Sequence, residues 1–169
     1  MPTSGEVAGG EVLFLPTGSV GTSAAFDVRR VVGPNVNMAT TPEGTWGGDL
    51  RGHNLVLEIT EGRLSAAAFE IAVEREGDAM RLGGLVADRR VSLRLSPRRF
   101  QGSIDGGVCS FDLPREAPGL YRGFVSCSVR GQRTAVITSA ALKLSGDAVR
   151  LDPPVLPQMA LAVLAVLPP

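Results

Sequence analysis

Apolar and polar residues alternate along most of this chain. Between about residues 11 and 151, apolar side chains recur at every second position, the spacing of a strand that buries one face. The stretches with this pattern are EVLFLP, AAFDVRRVV, HNLVLEIT, AAFEIAVERE, MRLGGLVA, RRVSLRLS, GVCSFDL, YRGFVSCSVR, TAVITSAALKLS and DAVRLD. The pattern predicts an all-β protein.

Turn-forming residues separate these stretches. The segments EGDA, IDGG and SGDA each carry a Gly-Asp or Asp-Gly pair, and a tight hairpin needs the positive φ that glycine adopts at low cost. We therefore expect about nine to eleven antiparallel strands. A sheet of that size closes into a single barrel or splits into a two-layer sandwich.

The chain divides into three segments by composition. Residues 1–10 are small and polar, which predicts a flexible N-terminus, and residues 11–152 form the all-β domain. Residues 153–169 are an apolar tail flanked by prolines. A length of 169 residues is typical of one domain.

The apolar tail must be covered, because it is apolar on every face between residues 155 and 167. One prediction is that it packs as a short helix or last strand over an open end of the β-structure. The other is that it docks onto a second subunit or a partner protein. The residues predicted to make that partner contact are Leu156, Met159, Leu161 and Leu164.

Charge and segment lengths limit the partners and the location. Basic and acidic residues balance at 17 each, which does not favour nucleic acid or an anionic membrane. A helix over residues 158–167 would be about 15 Å long, roughly half a bilayer core, so no membrane span is predicted. The start, MPTSGEVAGG, lacks the features of a signal peptide, which predicts a cytoplasmic protein, or an exported one whose leader was removed.

The segment RRVSLRLSPRRFQG concentrates arginine. Val91, Leu93 and Leu95 point to one side of a strand while alternate polar residues point to the other, which indicates a solvated outer face. The same density of guanidinium groups could bind a phosphate, sulfate or carboxylate. The residues of this candidate anion site are Arg90, Arg94, Arg98 and Arg99.

Two cysteines lie on consecutive predicted strands. A hairpin centred near Pro118 would place Cys109 almost opposite Cys127. In an oxidising compartment they could form a cross-strand disulfide that stabilises the fold by about 3 kcal/mol. In a reducing one they would be two small core side chains.

Trp46 lies among glycines before a strong strand, so it is either a core residue or an exposed ligand anchor. As an alternative to partner binding, the barrel could hold an apolar small molecule. The side chains predicted to line such a pocket are Trp46, Phe69, Phe111 and Phe124.

Residues suited to catalysis are few. His53 is the only histidine, and an enzyme built on this chain would use it with Asp49. No metal-ligand spacing or phosphate-binding loop is present, so we predict no catalytic residue, no metal and no cofactor. The leading hypothesis is a non-enzymatic binding or assembly module that contacts a protein partner or its own copies, through the tail or an exposed strand edge.

Overall fold

A computed structural model describes residues 9–16, 21–60, 62–66, 69–86, 89–105, 108–128, 135–146, 149 and 157–167. These residues form fourteen strands and one helix. The strands are β1 (Gly10–Pro16), β2 (Thr22–Phe26), β3 (Arg30–Gly33), β4 (Val36–Thr40), β5 (Trp46–Leu50), β6 (His53–Thr60), β7 (Arg63–Ala66), β8 (Phe69–Glu76), β9 (Ala79–Val86), β10 (Arg89–Leu95), β11 (Arg99–Ile104), β12 (Cys109–Ala117), β13 (Leu120–Ser128) and β14 (Ala135–Gly146). The helix, α1, spans Pro157–Val166.

The strands form one closed antiparallel barrel. Each strand pairs with its neighbours in the chain, and β1 pairs with β14 to close the ring. The alternation of the sequence is seen in β10, where Val91, Leu93 and Leu95 are buried while Arg90 and Ser92 are exposed. The prediction of an all-β domain is confirmed, and of the two predicted architectures, barrel and sandwich, the chain forms the barrel.

The predicted number of nine to eleven strands is wrong. The strands β4, β5, β7 and β11 are only four to six residues long, too short to stand out as separate strands in the sequence pattern. The stretch AAFDVRRVV contains both β2 and β3. The carboxylate of Asp27 makes the turn between them by accepting the N–H groups of Arg29 and Arg30, each at 2.8 Å.

Helix α1 fills the interior of the barrel. Every residue from Met159 to Val166 is at most 1% exposed, and the helix lies closest to β1, β2 and β3. An eight-stranded barrel is just filled by its own side chains, so a wider ring needs additional material in its lumen. The tail is therefore covered by the chain's own strands and forms a short helix, as one of the two predictions stated. The helix lies inside the barrel, however, and not over its end.

Polar groups of two hairpin turns hold the last turn of α1. Arg51 donates through Nη1 to the carbonyl oxygens of Leu164 at 3.1 Å and Leu167 at 2.8 Å. Asn35 donates to the carbonyl oxygen of Ala165 at 3.4 Å. The last carbonyls of a helix have no partner within it, so these bonds satisfy groups that would otherwise be buried unpaired.

The position of Arg51 follows from the turn between β5 and β6. Arg51 and Gly52 both have positive φ, 51° and 85°, as a two-residue hairpin turn of this type requires. The turn directs the arginine side chain over the end of the lumen. Burial lowers the pKa of Arg51, and the nearby charge of Arg89 lowers it further.

A disulfide joins β12 to β13. Cys109 and Cys127 are directly opposed in the register, with Cα atoms 4.1 Å apart. The predicted hairpin is present, because β12 ends at Ala117 and β13 begins at Leu120, on either side of Pro118. Of the two predicted states of these cysteines, a disulfide or two free core side chains, the structure has the disulfide.

Candidate functional site

The outward-facing residues of β9 to β14 form a continuous surface, which we call the β9–β14 face. Two rows of directly paired residues cross it. The first row, in strand order, is Arg81, Arg94, Gln101, Asp112, Phe124 and Ser139. The second row is Gly83, Ser92, Ser103, Ser110, Ser126 and Ile137.

The second row makes the centre of this face shallow. Four consecutive strands present serine at the same level, and β9 presents glycine beside them. Small side chains let another surface approach the sheet closely. The serine hydroxyl groups can also both donate and accept hydrogen bonds.

Two apolar side chains stand at one edge of the face. Phe124 is 62% exposed and Ile137 is 68% exposed. On β13 the buried positions are Tyr121 and Val125, so Phe124, next to Val125, must point outward. The prediction that Phe124 lines an internal pocket is therefore wrong.

Arginines stand at the opposite edge. Arg81 and Arg94 are directly paired across β9 and β10, an arrangement that is unfavourable for like charges. The carboxylate of Glu76 lies between them, 3.7 Å from Arg81 Nη1 and 4.0 Å from Arg94 Nε. Arg99 makes a closer pair with Asp112, at 3.0 Å.

Two adjoining clefts open at this arginine edge. One, of about 550 Å³, lies over β9 to β12, and the other, of about 530 Å³, lies at the turn between β10 and β11. Arg94 and Gln101 line both clefts. The second cleft also brings together Arg98 and Arg99, so three of the four arginines of the predicted anion site meet there.

Arg90 is not part of this group. It lies near the start of β10, whereas Arg98 lies in the turn beyond the end of that strand. The backbone N–H of Asp105 donates to the carbonyl oxygen of Arg90 at 2.6 Å, which marks the other end of the β10–β11 pair. The sequence grouped the four arginines by closeness along the chain, and the length of β10 separates them.

A buried network fixes the turn that carries Arg98 and Arg99. The Ser96 hydroxyl oxygen accepts the backbone N–H groups of Arg98 at 3.2 Å and Arg99 at 3.1 Å. The Tyr121 hydroxyl donates to the Ser96 carbonyl oxygen at 2.7 Å. Burial raises the pKa of Tyr121, and the charge of Arg115 opposes this shift.

Trp46 belongs to the core, being 3% exposed. Phe69 and Phe111 are also buried and share one apolar cluster with the residues of α1. Three of the four residues predicted to line an apolar pocket therefore pack in the core. The helix occupies the lumen in which such a ligand would lie.

His53 is exposed at the hairpin between β5 and β6. Its ring contacts the edge of Phe69, with ring centroids 5.5 Å apart. Asp49 accepts a hydrogen bond from Asn54 Nδ2 at 3.2 Å, and the register sets His53 opposite Leu50. The structure thus gives Asp49 a partner other than the histidine.

The tail residues predicted to contact a partner lie inside the barrel. Met159, Leu161 and Leu164 are 0–1% exposed, and Leu156 lies outside the described residues, as do most of the predicted flexible start and the stretch DAVRLD. Partner contact through the tail stays a prediction. In this conformation the surface of the helix is already covered by the chain's own strands.

Within the part of the chain that the structure describes, no three His, Cys, Asp or Glu residues are grouped to hold a metal ion. The described helix is too short to cross a membrane. No protein-family model, curated protein or solved structure matches this chain. The interpretation of its function therefore depends on the geometry of the β9–β14 face.

Proposed function

We propose that this protein is a non-enzymatic assembly module that binds a second copy of itself through the β9–β14 face. The observation that carries the proposal is the exposure of Phe124 and Ile137 beside a row of four serines. Aromatic and apolar anchors next to a polar, close-packing surface are typical of protein interfaces.

The apolar anchors provide the driving force. Complete burial of a side chain such as phenylalanine or isoleucine stabilises by about 1.5–3 kcal/mol. Because Phe124 and Ile137 are about two-thirds exposed, each would contribute roughly 1–2 kcal/mol on contact. A two-fold dimer can bring up to four such side chains into contact, two from each copy, and that contribution opposes the cost of association.

The order of residues across the face is self-complementary. Consider a two-fold axis that runs parallel to the strands between β11 and β12. It reverses the first row, so Arg94 of one copy faces Phe124 of the other, and Gln101 faces Asp112. A guanidinium over an aromatic ring and an amide against a carboxylate are both favourable contacts.

The two contacts predicted from the sequence, through the apolar tail and through an exposed strand edge, have less support. The tail is enclosed by the barrel, and ring closure between β1 and β14 pairs the strands that would otherwise be edges. A contact through either would need the barrel to open. The β9–β14 face needs no such change.

The proposal is tested by sedimentation equilibrium over a range of protein concentrations. We expect the wild-type chain to self-associate and the double variant Phe124→Ser, Ile137→Ser to weaken association at least tenfold. Val56→Ser is the matched control, since Val56 is 57% exposed on β6, seven strands from β13 in the ring of fourteen.

Association equal in the double variant and the wild type would refute the role of this face. A wild-type chain that stays monomeric at every concentration would refute self-association itself. Retained association in the Val56 variant, with loss in the double variant, supports the proposal.

A further inference from the structure

We propose that the cleft at the turn between β10 and β11 binds a dianionic phosphate group carried by a small molecule. The residues that line the cleft include Arg94, Arg98, Arg99 and Gln101. This site is separate from the apolar anchors of the β9–β14 face. Arg94 and Gln101 are shared with the proposed contact between copies, whereas Arg98 and Arg99 lie outside the two paired rows, so variants of Arg98 test phosphate binding apart from self-association.

The charge of the cleft lining favours a dianion. Three arginines are among its lining residues, against the one acidic residue Asp78. Two positive charges are therefore in excess among these residues. A phosphate monoester carries close to two negative charges at neutral pH, and it offers three acceptor oxygens.

The arginines retain donors for such a ligand. Within the described part of the chain, Arg98 takes part in none of the ion pairs. The carboxylate of Glu76 is shared between Arg81 and Arg94 at 3.7 and 4.0 Å, longer than a hydrogen bond. Arg99 uses Nε toward Asp112, and a guanidinium has five N–H donors.

The backbone that carries these side chains is fixed before any ligand arrives. The Ser96 hydroxyl oxygen accepts hydrogen bonds from the backbone N–H groups of Arg98 and Arg99. The Tyr121 hydroxyl donates a hydrogen bond to the Ser96 carbonyl oxygen. Because the turn is already fixed, less conformational entropy is lost when a ligand binds. Because Ser96 is engaged in this way, arginine and glutamine side chains supply the contacts to a ligand.

The size of the cleft indicates what carries the phosphate. Its volume of about 530 Å³ exceeds that of one phosphate ion and lies in the range of small-molecule sites, about 300–1,000 Å³. Gln101 lies where the cleft joins its neighbour of about 550 Å³, so the remainder of the ligand has space beside it.

The test is a titration of the intact chain, followed by calorimetry or by NMR, with three probes at low ionic strength. The probes are inorganic phosphate, glucose 6-phosphate and succinate, a dianion without phosphorus. We expect saturable phosphate binding with a Kd on the order of 1 mM. Glucose 6-phosphate should bind more tightly, and succinate more weakly.

Three variants locate the site. Arg98→Ala should weaken phosphate binding at least tenfold, and Arg98→Lys should weaken it severalfold because the planar fork is lost. Arg30→Ala is the matched control. Arg30 is an exposed arginine on β3, which lies seven strands from β10 in the ring of fourteen.

Each outcome decides the proposal. Loss in Arg98→Ala with full binding in Arg30→Ala supports it, and an advantage of the ester over inorganic phosphate supports the small-molecule carrier. Absence of saturable binding, equal loss in Arg98→Ala and Arg30→Ala, or succinate binding as tightly as phosphate would each overturn it. Sedimentation of the Arg98 variants, expected to match the wild type, keeps this result distinct from the test of self-association.

Discussion

Replacing Arg51 tests whether the helix in the lumen depends on its last turn being held. The guanidinium donates two hydrogen bonds, to the carbonyl oxygens of Leu164 and Leu167. In Arg51→Ala both carbonyls lose their partner in the barrel interior. The helix also loses a positive charge at its C-terminus, where such charges are favourable.

The magnitude follows from these two bonds. A hydrogen bond involving a charged group contributes about 1.5–3 kcal/mol net, which gives an upper range of about 3–6 kcal/mol. Arg51 is only partly buried, so water can replace part of the loss. We expect the free energy of unfolding to fall by about 3 kcal/mol, which lowers Tm by roughly 6–12 °C in a domain of this size.

Urea denaturation followed by tryptophan fluorescence measures this change. Trp46 is the only tryptophan and lies in the core, so its emission reports the opening of the barrel. The matched control is Arg63→Ala, which removes a surface ion pair to Glu70 at 2.9 Å and should cost at most about 1 kcal/mol. If Arg51→Ala costs no more than Arg63→Ala, the helix is not held by these bonds.

Two further predictions concern the barrel wall and the buried tyrosine. Gly84 has a φ of 147°, and a Cβ added there would overlap the carbonyl oxygen of Glu70, so Gly84→Ala should lower the free energy of unfolding by at least about 2 kcal/mol. The control is Gly83→Ala. A Cβ at Gly83 meets nothing within 4 Å, so this variant should change the free energy of unfolding by less than about 0.5 kcal/mol. Equal losses measured in urea would contradict the steric argument. The pKa of Tyr121 is raised in the folded state, so the neutral hydroxyl contributes to the free energy of unfolding. That contribution is complete below the ordinary pKa of 10.0 and is lost as the pH rises above it. Urea unfolding between pH 8 and 11 should therefore show a smaller alkaline loss of stability in Tyr121→Phe than in the wild type, and identical slopes would refute the assignment.

The sequence was informative wherever one face of a strand is buried in full. In β10 the apolar residues at alternate positions predicted both the strand and its buried side. In β5 the sequence WGGDL has glycine where a side chain would mark the face, so the strand could not be recognised. That omission made the predicted ring too small.

A ring predicted with too few strands also hid the place of the tail. Its composition predicted that it is covered, and the ring of fourteen strands leaves a lumen wide enough to enclose the helix. The exposed position of Phe124 was missed for a different reason. Its neighbours Gly123 and Val125 are both apolar, so the alternation is not visible at that point.

The closure of the ring has a consequence for biosynthesis. The ring closes by the pairing of β1 with β14, and the helix that fills the lumen follows β14 in the chain. Thirteen strands therefore leave the ribosome before β1 can pair with β14. Their apolar inner surface stays uncovered until the helix has also been synthesised. Pairing the first strand with the last is a long-range contact, so the final step should be slow, and the nascent chain would gain most from a chaperone during that interval.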